Sequence, residues 1–188
     1  MERQRIDQLY RSILGPFPER VPLNVEFLHQ EQCDGFTRTL IAWDNEATER
    51  VRGYLLRPES GSENLPAMMA FHGHGAWESG KRSTAGVDGK SGGTALGPGL
   101  AARGFAVLCS DAICWGDRQN PAGDPSGVMY ERVVAMRLLA EGRCMAAQYV
   151  WDAIRQCDVL QSLDGIDGER IGAMGVSMAT IFMVYTGG

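Results

Sequence analysis

A serine flanked by small residues stands near the end of the 188-residue sequence. Gly175-Val176-Ser177-Met178-Ala179 follows the short apolar run 171–174, and residues 178–185 can continue as a helix. Strand, sharp turn and helix lift a serine Oγ clear of a sheet edge, where it can attack an acyl carbon. Glycine is needed at 175, because a side chain there would crowd the strained turn. Ala179 takes the second flanking position, usually glycine too, and its methyl costs about 1–3 kcal/mol if badly packed. Small residues also surround buried serines of no chemical consequence, so the surrounding elements must decide.

A second motif, His72-Gly73-His74-Gly75, ends the apolar run 67–71. Its glycines let the backbone turn so that an N–H faces a substrate oxygen. The His74 N–H, paired with the Met178 N–H at a helix N-terminus, makes an oxyanion hole. His72 is expected to orient the loop or to be buried. The two histidines could instead ligate a metal, but no third histidine or carboxylate stands at ligand spacing, so no metal is expected. Asp111, after the apolar run 105–109, and Asp117, in Trp115-Gly116-Asp117-Arg118, fall at the same sheet edge as Ser177. They are expected to fix loops by accepting backbone N–H groups or to pair with Arg118. Two other patterns fail. Gly89-Lys90-Ser91 has Thr84 where a phosphate loop needs its first glycine, and Glu78 stands where the third glycine of a dinucleotide fingerprint would follow Gly73 and Gly75.

The elements that must position these residues read as follows. A helix over 7–14 ends at Gly15-Pro16. Segments 25–32, 36–43 and 50–56 read as strands, with Cys33-Asp34-Gly35 as the turn between the first two. They form an antiparallel start to the sheet. The runs 67–71, 105–109 and 171–174 are continuously apolar, as parallel strands buried on both faces are. A glycine- and serine-rich loop over 80–99 lies between the first two. A helical region begins near Ser126, is divided at Gly142, and presents a mainly apolar face in its second half. Asp164-Gly165 and Asp167-Gly168 turn the chain into the last strand. Strand and helix alternate in the α/β manner.

Bulk properties set limits. Hydrophobic residues make up 44% and charged residues 22%, ordinary values for a soluble globular chain. The net charge of −5, without a basic stripe, argues against a nucleic-acid partner. The polar N-terminus is no signal peptide, and no apolar run approaches membrane-spanning length. Five cysteines without metal-type spacing read as reduced thiols, so a cytoplasmic location is expected.

With the elbow, the His-Gly loop and the Asp111-to-Arg118 segment aligned, the sequence resembles the dienelactone hydrolase and acetyl xylan esterase-like group of α/β-hydrolases. The lead-in Leu14-Gly15-Pro16-Phe17-Pro18-Glu19-Arg20, the helix Val150-Trp151-Asp152-Ala153-Ile154-Arg155 and Asp167-Gly168-Glu169-Arg170-Ile171-Gly172 belong to the same likeness. The resemblance implies a mostly parallel sheet with flanking helices and ester hydrolysis through a seryl acyl-enzyme, without cofactor. Ser177 would be the nucleophile, with His74 and Met178 as backbone oxyanion donors and a small-molecule ester as substrate.

In this group the acid and the histidine follow the nucleophile, yet no histidine follows Ser177. Loss of a triad histidine is worth about 10⁶ in kcat, the magnitude of the subtilisin example. Three readings stay open. The chain is a single but incomplete hydrolase domain over 1–188, truncated after the elbow helix. Alternatively it is an inactive binding or assembly module that joins copies through the exposed sheet edge. In the third, His72 or His74 is the base and Asp111 orients it.

Overall fold

The computed structural model describes residues 2–59, 63–87 and 95–186. Helix α1 (Glu2–Leu14) leads into β1 (Glu26–Cys33), β2 (Phe36–Glu46) and β3 (Glu49–Pro58). The turn before β2 works because Gly35 sits at φ +78°, a left-handed conformation that side chains resist. β4 (Leu65–Phe71), the short helices α2 (Lys81–Thr84) and α3 (Leu96–Ala101), and β5 (Ala106–Ser110) follow. A 3₁₀ turn at Gly116–Arg118 precedes α4 (Gly127–Ala140), α5 (Met145–Ser162), β6 (Ile166–Gly175) and α6 (Ala179–Thr186).

The six strands lie in the order β1-β2-β3-β5-β4-β6. β1, β2 and β3 pair antiparallel, β3 meets β5 antiparallel, and β5, β4 and β6 run parallel. The sheet is mixed with an antiparallel start, as expected: among the described residues three pairings are antiparallel and two, β5–β4 and β4–β6, are parallel. Alternation along the strands sends side chains to two apolar layers. Leu55, Met69, Phe71 and Leu108 meet Tyr149, Ala153 and Leu160 of α5, while Leu56, Ala70, Val107 and Cys109 meet Ala85 and Ala101 beside α2 and α3.

Three expectations need correction. The run 171–174 is not buried on both faces: β6 lies at the sheet edge among the described residues, and Met174 is 43% exposed. Asp167-Gly168 lies within β6, leaving Gly165 (φ +77°) to make the turn. Helix α5 is apolar where it meets the sheet, yet it also buries Gln148, Asp152, Arg155 and Gln156. The Gly89-Lys90-Ser91 segment lies outside the described residues.

Candidate active site

Ser177 sits between β6 and α6 at φ +60°, a conformation that costs a non-glycine residue roughly 1–3 kcal/mol. The surrounding contacts show how it is held. The Ser177 carbonyl accepts from the Thr180 N–H at 2.9 Å and from Thr180 Oγ1 at 2.8 Å, which locks the first turn of α6. A Cβ at Gly175 would lie 2.3 Å from the Ala179 Cβ, 3.0 Å from the Phe71 carbonyl oxygen and 3.1 Å from the Phe71 Cβ. Only glycine fits beneath the turn. Ala179, whose methyl fills that space, is fully buried.

The His-Gly loop leaves β4 beside this turn. A Cβ at Gly73 would stand 3.4 Å from the Val176 carbonyl oxygen and 3.9 Å from the Ser177 Cβ. The loop and the serine are therefore in near contact. Among the described residues neither the His74 N–H nor the Met178 N–H has a backbone acceptor. Ser177 itself is exposed.

His72 is 3% exposed, and both its ring nitrogens are engaged. Nε2 accepts from the Ala112 N–H at 3.0 Å, which makes Nδ1 the protonated nitrogen, 3.1 Å from the Gly73 carbonyl oxygen. Burial pushes its pKa below the ordinary value, and the Gly73 carbonyl only partly opposes this. The ring pins the loop after β4 to the loop after β5. It has no nitrogen left to serve as a base.

His74 behaves differently. Its Nε2 lies 3.1 Å from Glu131 Oε2 on α4, and its ring stands edge-on to Trp77 and Trp115. Those two indoles stack at 4.3 Å, and the Trp115 indole N–H donates to the His74 carbonyl at 3.0 Å. Glu131 Oε1 accepts from the Tyr149 hydroxyl at 3.0 Å. Burial and the Glu131 carboxylate raise the Tyr149 pKa. A cavity of about 310 Å³ is lined by Gly75, Trp77, Glu78 and Ser79, which follow His74 directly. A larger one, about 400 Å³, lies among Glu46, Glu49, Arg137, Glu141 and Arg143, and no predicted site residue lines it.

The aspartates do not orient a histidine. Asp111 is 1% exposed and accepts from the Lys81 N–H at 2.7 Å, the Asp117 N–H at 3.0 Å and Lys81 Nζ at 2.5 Å. Asp117 gives Lys81 a second carboxylate at 2.8 Å. Asp111 accepts backbone N–H groups as expected, but Lys81 and not Arg118 is the cation shared by the two aspartates. Arg118 instead joins Glu49 at 2.8 Å and Asp152 at 2.5 Å, and only its bond to the Asp111 carbonyl touches the predicted pair. Burial works against the Arg118 charge, but Asp152 and Glu49 more than offset it and raise its pKa. Among the described residues no group of three or more His, Cys, Asp or Glu side chains could hold a metal.

Sequence reasoning missed Glu131, Lys81 and the role of Trp115. Glu131 stands 57 residues from His74 in the chain, and no spacing pointed to it.

These features can be set beside known proteins. No protein-family model matches the chain. Solved structures superpose along nearly the whole chain. A Bacteroides fragilis protein named as an acetyl xylan esterase matches with a TM-score of 0.79 at 17% identity, covering 98% of this chain and 49% of its own. The fold is that of the α/β-hydrolases. Acetyl Xylan Esterase 1 of Thermoanaerobacterium sp. shares this α/β-hydrolase fold with a TM-score of 0.67 at 16% identity, covering 97% of this chain and 54% of its own. A dienelactone hydrolase-like protein is also among the α/β-hydrolase neighbours. In sequence, the chain is 28% identical over 192 residues to YtaP of Bacillus subtilis (strain 168), named as a hydrolase; the match covers 99% of this chain and 60% of YtaP. The chain thus spans about half to three-fifths of the length of the proteins it matches.

Proposed function

We propose that this α/β-hydrolase chain carries the nucleophile and the oxyanion hole of a carboxylic ester hydrolase acting on a small-molecule ester. Ser177 Oγ attacks the ester carbonyl carbon, and the carbonyl oxygen takes up the negative charge. The N–H groups of His74 and Met178 receive that oxyanion, and the N-terminal end of α6 adds a favourable field. The alcohol leaves with a proton, an acyl group stays on Ser177, and water releases the acid. Gly73, Gly75 and Gly175 leave room for the two backbones to approach. His72, Asp111 and Asp117 brace the loops.

The observation that carries this reading is Ser177 at φ +60° with the Gly73 backbone against it. The esterase and hydrolase names of its neighbours support the reaction class. The base and the acid are a separate matter. His72 has both nitrogens occupied, His74 faces Glu131, and His29 lies on the far edge strand β1. The proposal therefore assigns the triad histidine and acid to polypeptide other than residues 1–188.

The test is hydrolysis of p-nitrophenyl acetate by the native gene product and its Ser177→Ala variant. Loss of at least about 10⁴ in kcat is expected, as for other serine nucleophiles. Undiminished turnover by the variant, or none by the unaltered protein, overturns the proposal.

A further inference from the structure

His74 is restrained from several sides, although the glycines at 73 and 75 give its backbone no side-chain support. The Trp115 indole N–H holds its carbonyl at 3.0 Å. Its ring lies edge-on to Trp77 at 4.6 Å and to Trp115 at 5.3 Å between centroids. Glu131 Oε2 takes the ring Nε2 at 3.1 Å, and Glu131 Oε1 takes the Tyr149 hydroxyl at 3.0 Å. Tyr149 is 3% exposed and packs in the main apolar layer, so the carboxylate is fixed to a rigid helix. The ring it holds is 44% exposed on its other side. Such a ring would otherwise sample several rotamers, and the loop backbone would move with it.

We propose that Glu131 is a positioning residue for the oxyanion loop: by fixing the His74 ring it keeps the His74 N–H aimed across Gly73 at the oxyanion position above Ser177. This rests on the ester hydrolase reading above. The direction of the bond is specific. A Glu131 carboxylate only accepts, so Nε2 of His74 carries the proton in this bond. Tyr149 fixes Glu131 in turn by donating to its second oxygen. A hydrogen bond from His74 to a developing oxyanion weakens steeply with misalignment, so small loop excursions cost rate without costing ground-state binding.

The experiment compares Glu131→Ala, Glu131→Gln and Tyr149→Phe in the native gene product. Each is read by steady-state hydrolysis of p-nitrophenyl acetate and by the ¹H–¹⁵N resonance of the His74 amide. Glu131→Ala is expected to lower kcat by about 10- to 100-fold, less than full loss of an oxyanion donor, with KM within about twofold. The His74 amide resonance shifts with it. Glu131→Gln, which can still accept from Nε2–H while donating to the Tyr149 oxygen, restores most of kcat and of the resonance position. Tyr149→Phe falls between the two.

Three results overturn the proposal: an unmoved His74 resonance in Glu131→Ala, a loss confined to KM, or equal impairment of the Ala and Gln variants. If Glu131→Ala does not fold, an unmoved resonance in Tyr149→Phe overturns it instead. Hydrolysis that survives in Ser177→Ala sinks the esterase reading alone, because the resonance of His74 still reports whether Glu131 holds the loop.

Discussion

Replacing Gly175 by alanine tests the packing beneath the serine turn. The added Cβ would lie 2.3 Å from the Ala179 Cβ, with the Phe71 carbonyl oxygen at 3.0 Å and the Phe71 Cβ at 3.1 Å. Carbon atoms in favourable contact stand about 3.5–4.0 Å apart, so one side must retreat by more than about 1 Å. Phe71 is 3% exposed in β4, which is paired on both sides, whereas α6 begins at Ala179. The helix start will give way. Overpacking of this kind costs about 1–3 kcal/mol, and with three close contacts the upper end is expected.

Ala179→Gly alone removes a buried methyl at the helix start and should cost about 1 kcal/mol. Together the two changes remove the 2.3 Å collision and leave only the two contacts with Phe71. The double variant should therefore be more stable than the sum of the single losses by about 1–2 kcal/mol, within the range for residues in contact. Urea unfolding followed by circular dichroism measures each value, with unchanged m confirming comparable states. Additivity to within about 0.5 kcal/mol would refute the reasoning, because it would mean that the two side chains never compete for the same space.

Two further outcomes are expected. Lys81→Met leaves Asp111 buried without its cation and should cost about 3–5 kcal/mol in thermal or urea unfolding, while Lys81→Met with Asp111→Asn should cost clearly less than the sum of the two; equal losses would argue that the pair is not coupled. His72 has a folded pKa below its ordinary 6.5, so below that pH the unfolded chain takes up a proton that the native ring refuses, and stability falls by up to about 1.4 kcal/mol per pH unit. His72→Gln, whose amide oxygen can still accept from Ala112, should flatten that part of the urea-midpoint profile between pH 5 and 6.5, and an unchanged slope would count against the assignment.

Local chemistry made much of the fold readable. The Cys33-Asp34-Gly35 turn, the Gly142 break and the apolar runs are punctuated by residues whose conformational preferences act over a few positions. The serine turn was readable for the same reason: Gly175 and Ala179 are small because they meet each other. The bracing of the site was not. Glu131 reaches His74, Lys81 reaches Asp111 and Glu49 reaches Arg118 across 57, 30 and 69 residues, and charge pairs at such separations have no spacing rule in one sequence. One signal was present without being used. Gln148, Asp152 and Arg155 recur at helical spacing among apolar neighbours, a pattern that points to a buried polar network beneath α5. The apolar run 171–174 reads as covered on both faces, but the exposure at Met174 depends on which elements pack beside β6, a property of the whole topology.

The pairing of β4 with β6 also bears on when the site comes into being. Arg170 on β6 donates to the Asn64 carbonyl at the start of β4, 106 residues earlier. The His-Gly loop is thus made well before the serine turn emerges from the ribosome, and the two meet only when nearly all of this sequence has been synthesised. Closing so long a segment is an entropic barrier crossed late in folding. Until then β4 has β5 for a neighbour on one side and an open row of backbone groups on the other. A nascent chain in that state is a natural client for chaperones, and the His-Gly loop and the serine turn come together late in its folding.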